Sequence, residues 1–398
     1  MKPILYIISF LLYCQIWAGE PVAIYLTWQR DPTTTMTIQW LSKKEDEQDI
    51  VCFHKKEEKD WKEEKASHKM LPQDAPYLMH VVELKSLEPN TTYTFRLKDS
   101  EKQYNFHTLP KNLEKPLTFV AGGDTNQADE AWFIETCKMA ASQNPSFTLF
   151  GGDLAYASPN RRGENEDSER WVRWLTHYFE TMITSDGNLI PLIVTIGNHD
   201  VKGHFGSTPA DAPFFYTLFA MPGLPGYNVL RINSYLSIYL LDSNHTNPIK
   251  GEQTEWLAGE LSKDGEMLHR FALYHVPAYP SVRSFHLKES EKIRKHWVPL
   301  FEKYGLHVAI ENHDHVFKRC FPLKEGSVNP NGVLYIGDGS WGVKPRIPKK
   351  AAGSKYLAKS QSTRQFLKIQ LSETTREFWS IAPDGQIIDH YIQFVKKD

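Results

Sequence analysis

The sequence predicts two domains: an all-β sandwich over residues 19–110, then an α/β sandwich over residues 116–398 built on a βαβαβ core. Three observations predict it. Between residues 20 and 108 the chain reads as short strands with no long helical period; Met36, Ile38 and Trp40, for example, alternate with Thr37 and Gln39. From Leu117 onward, short apolar runs alternate with stretches of helical spacing, the pattern of strands joined by crossover helices. Between the two regimes, Pro110 and Pro116 bracket the polar segment Lys111–Lys115, a stiffened connector.

The first residues stand apart. Lys2 precedes an uninterrupted apolar run from Ile4 to Cys14, and the small Ala18 follows, which is the order of a cleaved secretory signal. Residues 1–18 are therefore expected to be removed, with the mature protein secreted or periplasmic. That mature chain keeps Cys52, Cys137 and Cys320, too widely spaced for a metal knuckle and able to form at most one internal disulfide. Its fold must rest on its core.

In the first domain, Leu87-Glu88-Pro89-Asn90-Thr91-Thr92-Tyr93 runs from a Pro-Asn turn into a strand. A tyrosine so placed can reach back to the backbone as a tyrosine corner, and with the alternating strands around it the domain resembles a fibronectin type III sandwich. The charged run His54–Lys65 reads as a solvated loop or hairpin arm.

In the second domain, Leu117–Ala121 is a strand, Ala128–Ala141 a helix and Phe147–Phe150 a strand. Trp171–Ile183 reads as an amphipathic helix and Leu189–Ile196 as a buried strand. Tyr235–Leu241 and Phe271–Tyr274 repeat the buried-strand pattern, with helices over Glu252–Leu261 and Lys288–Tyr304. Such alternation implies a largely parallel central sheet. Gln365–Leu371, Arg376–Ile381 and Ile387–Val395 read as a meander completing its edge.

Composition narrows the function. The 398 residues carry 46 Lys+Arg against 48 Asp+Glu, a formal net charge of −2, so nothing electrostatic calls for a nucleic-acid or membrane-surface partner. With 41% apolar and 13% aromatic residues the chain is not mainly disordered. No apolar run reaches the ~18 residues of a spanning helix.

Chemistry-bearing residues gather at the ends of the apolar strands, where α/β sheets place their ligand sites. Gly122-Gly123-Asp124 closes one strand, Gly151-Gly152-Asp153-Leu154-Ala155-Tyr156 the next and Gly197-Asn198-His199-Asp200 the third. His275-Val276-Pro277 follows Phe271–Tyr274, and Asn312-His313-Asp314-His315 follows Leu306–Ile310. The glycines let the backbone turn sharply there. His313 and His315 share one side if the segment is extended. Two carboxylates, an amide, a phenol and three imidazoles exceed one ion's needs, and mixed oxygen and nitrogen donors suit a pair of transition ions.

That ordered set resembles the calcineurin-like metallophosphoesterases, and Tyr156 within Gly-Asp-x-x-Tyr resembles their purple acid phosphatase branch, in which a fibronectin-like domain commonly precedes the catalytic one. The resemblance implies one metal held by Asp124, Asp153, Tyr156 and His315, and a second held by Asp153, Asn198, His275 and His313, with Asp153 bridging. A ferric ion fits the first place, since a phenolate stabilises it, and Zn, Mn or Fe(II) fits the second. The implied reaction is hydrolysis of a small phosphorylated substrate by a metal-activated hydroxide, in acid or mildly acid solution. His199 is the catalytic candidate, as general acid or electrostatic stabiliser, or as an orienter of its neighbours. His286, in a loop with Arg283, is a candidate phosphate contact, and Asp200 reads as structural.

Two positions depart from the family pattern. Asn126 stands where the family has glycine or histidine and is read as a cap for the following helix. Asn312 stands where the family has glycine, and asparagine's tolerance of left-handed angles preserves the turn. The main reading is a secreted metal-dependent phosphomonoesterase. Two alternatives stand beside it: a phosphodiesterase or nucleotide pyrophosphatase on the same site, whose choice would lie in loops 158–168 and 202–227, and an inert binding or adhesion protein. Asn90-Thr91-Thr92 and Asn244-His245-Thr246 have the glycosylation pattern.

Overall fold

The computed structural model describes residues 20–45, 48–126, 129–158, 164–349 and 354–395. The expected signal, residues 1–18, and Ala128 at the start of an expected helix lie outside them.

The first eight strands are β1 (Ala23–Thr27), β2 (Met36–Lys43), β3 (Ile50–Lys55), β4 (Lys62–Lys65), β5 (Ser67–Met70), β6 (Tyr77–Leu84), β7 (Thr92–Leu97) and β8 (Tyr104–His107). They form two four-stranded sheets, ordered β1-β2-β6-β5 and β4-β3-β7-β8, whose facing side chains make one core. Tyr93 builds the expected corner: its hydroxyl accepts the N–H of Glu88 at 2.9 Å. β4 carries the charged arm, with all four side chains exposed. The outer face of the first sheet is covered too. Tyr25 Oη and Gln39 Nε2 donate to the Leu218 carbonyl at 2.6 and 2.8 Å, so the sandwich is fastened to the second domain. The connector is fastened as well, through Tyr235 Oη to Pro110 O (2.9 Å) and Asn233 Nδ2 to Lys111 O (2.7 Å).

The second domain runs β9 (Leu117–Gly122), α1 (Glu130–Ala141), β10 (Thr148–Gly151), α2 (Ser168–Thr181), β11 (Leu192–Thr195), α3 (Pro213–Leu218), β12 (Asn228–Ile232), β13 (Leu236–Leu240), α4 (Glu252–Lys263) and β14 (His269–Leu273). It continues with α5 (Lys288–His296), α6 (Val298–Lys303), β15 (Val308–Glu311), β16 (Phe317–Cys320), the short hairpin β17 (Leu323–Lys324) and β18 (Ser327–Val328), β19 (Leu334–Gly337), β20 (Leu357–Gln361), β21 (Phe366–Leu371), β22 (Thr375–Ile381) and β23 (Ile387–Phe394).

The expected α/β sandwich is made of two sheets rather than one central sheet. One is ordered β11-β10-β9-β21-β22-β23: three parallel strands, then the closing antiparallel meander. The other is ordered β12-β13-β14-β15-β19-β16-β20, parallel from β13 to β19. They pack face to face, with the Phe119 and Phe271 rings 6.0 Å apart between them. The expected helix 288–304 is broken at Trp297 into α5 and α6, because Pro299 in the first turn of α6 has no N–H to continue the ladder. On α2, Trp171, Trp174, Leu175 and Tyr178 fall on one buried stripe at helical spacing. Its N-cap Asp167 accepts from Arg170 N.

Cys52, Cys137 and Cys320 are buried and unbonded. Among the described residues no helix is long and apolar enough to cross a membrane. Of the two glycosylation patterns, Asn90 is exposed, whereas Asn244 is buried with its amide on Glu289 Oε1 at 3.3 Å.

Candidate metal centre

The parallel strands of both sheets deliver the site with one offset. Asp124, Asp153, His275 and His313 each stand two residues beyond the end of their strand (β9, β10, β14, β15), and Asn198 stands three beyond β11. All seven expected donor residues meet there. Six of them are no more than 5% exposed, and Tyr156 is half-buried.

On one side, His315 Nε2 lies 2.9 Å and Tyr156 Oη 3.3 Å from Asp124 Oδ1, and Tyr156 Oη is 3.4 Å from His315 Nε2. On the other, His275 Nε2 is 3.3 Å from Asp153 Oδ2, 3.1 Å from Asn198 Oδ1 and 3.0 Å from His313 Nδ1. Ligand atoms of Asp124, Asp153 and His315 lie within 4.8 Å of one another, as do those of Asp153, His275 and His313. Asp153 belongs to both groups.

The donor set fits metal ions on the chemistry of its atoms. His275 Nδ1 is 2.8 Å from the Gly151 carbonyl, which can only accept, so a neutral ring turns the lone pair of Nε2 towards the Asp153, Asn198 and His313 acceptors. Such a convergence needs a cation at its centre, whether a proton or a metal. Asp153 Oδ2 is buried without a hydrogen-bond partner, while Oδ1 accepts the His199 N–H at 2.7 Å.

The electrostatics agree. Burial alone would raise the Asp153 pKa, but the imidazoles of His275 and His199 outweigh it and hold the carboxyl well below its usual range. Burial would lower His275, yet Asp153 and Asp124 push it up to about 9. His313 is held well down by burial, Arg283 and His275. Tyr156 is held well above an ordinary phenol by burial and by Asp124, Asp153 and Asp200, so only a multivalent cation would draw out its phenolate.

The backbone carries strain where the ligands sit. Asp124, Asp153, Tyr156, His313 and His315 have φ of 53°, 51°, 53°, 79° and 61°, a left-handed conformation costing roughly 1–2 kcal/mol per residue. The glycines therefore do less turning than the sequence implied and more yielding of space. A Cβ on Gly197 would lie 2.1 Å from Asp153 N, and one on Gly339 would lie 1.7 Å from Asp124 Oδ2. Asn312 is not among the left-handed residues; His313 turns instead, its N–H held by Asp124 Oδ2 at 2.8 Å. The segment 312–315 is thus bent rather than extended, and it sends His313 and His315 to different sides of Asp153.

Other expectations resolve one by one. Asn126 does not cap α1; Asp129 does, accepting from Ala131 N, and the Asn126 carbonyl takes Arg170 Nη2 at 2.7 Å. His286 is not brought to the cluster: its side chain is 79% exposed, with Nδ1 on Glu291 Oε1 at 2.8 Å. Asp200 is structural, joining two ligand loops by accepting from Leu154 N and Gly197 N at 2.9 Å each. His199 lines the centre, its ring stacked on Tyr156 at 4.6 Å.

Sequence reasoning passed over three neighbours. His204 meets the His199 ring at 4.9 Å and has a buried Nε2 without a partner; its signal was the flanking pair Gly203 and Gly206. Arg283 donates to the His313 carbonyl and pairs with Asp314 at 2.9 Å. Arg346, half-buried, donates its backbone N–H to His315 O at 2.9 Å; burial and Arg283 hold its guanidinium below its usual range, against the opposing pull of Asp124, Asp314 and Tyr156. No local pattern marks the two arginines.

Comparison with known proteins agrees with this geometry. Residues 21–108 match the purple acid phosphatase N-terminal domain, and residues 106–317 match the calcineurin-like phosphoesterase family. Purple acid phosphatase 18 of Arabidopsis thaliana is 25% identical over 289 residues, covering 68% of this chain and 60% of that protein. A serine/threonine-protein phosphatase of Bos taurus is 27% identical over 213 residues, covering 49% and 64%. The chain spans about 60% of the length of the first curated relatives it matches. The purple acid phosphatase of yellow lupin (Lupinus luteus) shares the fold at a TM-score of 0.76 and 18% identity, covering 94% of this chain and 74% of that one.

Proposed function

The chain belongs to the calcineurin-like phosphoesterase family, with a purple acid phosphatase N-terminal domain, and on that premise we propose that it is a secreted or periplasmic acid phosphatase acting on phosphate monoesters. The observation that carries this reading is the sharing of Asp153 between two groups of buried donors, with the Tyr156 phenol on one side only. Asp124, Tyr156 and His315 would hold a ferric ion, and Asn198, His275 and His313 a divalent one (Zn, Mn or Fe(II)), with Asp153 on both. When bound, such a pair supplies a nucleophilic water of lowered pKa and neutralises phosphoryl oxygens.

The chain's own residues do the rest. The Gly151 carbonyl fixes the His275 tautomer, and Asp200 locks the loops that carry Asp153 and Asn198. His199, held at its backbone by Asp153 and at its ring by Tyr156, would give a proton to the departing oxygen. The phosphate-contact role expected of His286 falls in this reading to Arg346, whose backbone N–H is on His315 O and whose charge is drawn on by Asp124 and Tyr156. Turnover of a phosphomonoester against its diester analogue tests the reading: preference for the monoester is expected, and preference for the diester would make the protein a phosphodiesterase.

A further inference from the structure

The strands that carry His275 and His313 at one end gather a second set of basic side chains at the other. His269 and Arg270 open β14, His307 precedes β15, and Arg376 lies at the start of β22. Arg270, His307 and Arg376 line a cavity of about 350 Å³, closed on another side by Gly332 and Gln393. With strands of four and five residues between, this cavity lies roughly 15 Å from the metal centre.

Its lining holds three basic side chains and one acid. His307 Nδ1 accepts the Arg270 N–H at 3.0 Å, so the neutral ring keeps its proton on Nε2. That Nε2 faces Arg270 Nη2 at 3.5 Å, two N–H groups directed at each other with no acceptor between them. Arg270 Nη1 is spent on the Tyr304 and Asp264 carbonyls at 2.9 and 3.2 Å, while its Nε is buried without a partner. Arg376 is only 3% exposed. Its Nη2 reaches Leu268 O at 2.7 Å and its Nη1 only grazes Gln393 Oε1 at 3.4 Å, and its Nε is likewise buried without a partner.

The nearest acids are engaged or at the rim. Asp264 is paired with Arg231 at 2.8 Å, and Glu266, the one acid lining the cavity, is exposed. Burial and the Arg270 charge push Arg376 down to about 9, and burial with both arginines holds His307 far below an ordinary imidazole. Buried charge without a counter-charge is costly to keep, and an anion in the cavity removes that cost.

We propose that this cavity binds a small tetrahedral oxyanion of the phosphate or sulfate class through Arg270, His307 and Arg376. A tetrahedral anion offers enough oxygens to meet both guanidinium groups and the His307 N–H together, which the two oxygens of a carboxylate do not. Bound there, it joins β14, β15 and β22 through one ligand.

The test uses the full chain after chelation, so that no metal at the other site retains phosphate. Inorganic phosphate is titrated by calorimetry at fixed ionic strength, with chloride as the control and sulfate as the competitor. The expected result is saturable binding of one phosphate per chain below about 10 mM, displaced by sulfate, with a matching rise in thermal midpoint. Arg376→Gln is expected to weaken binding at least tenfold; His307→Asn, a milder change, does the same if the first variant fails to fold. No saturable binding, or equal binding in a folded variant, overturns the proposal.

Discussion

Nδ1 of His275 lies 2.8 Å from the carbonyl oxygen of Gly151, and that contact decides what the rest of the ring can do. Gly151 ends β10, two residues before Asp153, so the strand that supplies the shared carboxylate also fixes the tautomer of the imidazole facing it. The lone pair left on Nε2 points among three further acceptors within 3.3 Å. A cation belongs at that point.

Tyr156 makes the ferric assignment testable by colour. The iron-loaded protein is expected to show a visible charge-transfer band. Tyr156→Phe is expected to lose that band, to weaken iron binding at least about tenfold and to keep part of the turnover. A full band in the variant takes Tyr156 off the iron.

His199→Ala separates chemistry from metal binding. The contact to Asp153 is made by the His199 backbone and survives the change, so metal content is expected to stay the same. The kcat is expected to fall by about 10²–10⁴, the span of general acid catalysis, measured at saturating substrate. A loss of metal instead would give the ring an orienting role.

Glu166 sets a pH dependence of stability. Its side chain is buried, with Oε2 accepting from Ser158 Oγ and Trp171 Nε1 and Oε1 left without a partner, and burial pushes its carboxyl up to about 7. A folded-state pKa above the unfolded one stabilises the fold fully below about pH 4.5 and loses that contribution as pH rises through 7, by at most about 3 kcal/mol. Glu166→Gln is expected to flatten the fall in thermal midpoint between pH 5 and 7.5. An unchanged slope would place that dependence elsewhere.

Much of the candidate site was legible because four of its seven donors, Asp124, Asp153, His275 and His313, obey a local rule: a donor two residues past a buried strand needs no tertiary knowledge to be found. Strand partners are another matter. Leu117 pairs with Leu371 across nearly the whole domain, and although the closing meander was expected at a sheet edge, nothing in either segment names β9 as its partner. Asn126 does not cap α1 because the helix begins at Glu130, which puts Asp129 at the N-cap and leaves the Asn126 carbonyl to Arg170 of α2. The left-handed turn fell on His313 rather than Asn312 through a bond to Asp124, 189 positions away. His286 found a nearer partner in Glu291. Arg346 reaches the centre only through the path of the chain after Trp341, whose N–H binds Gly123 O at 3.2 Å.

The central claim is that one shared carboxylate holds two metal ions that together hydrolyse a phosphoester. Its most direct test is phosphomonoester turnover by the native chain and by Asp153→Asn, with metal content determined on the same samples. The account predicts two ions per chain and turnover in the first, and loss of at least one ion with turnover at background in the second. Equal turnover in both, or two ions without turnover in the native chain, would contradict it.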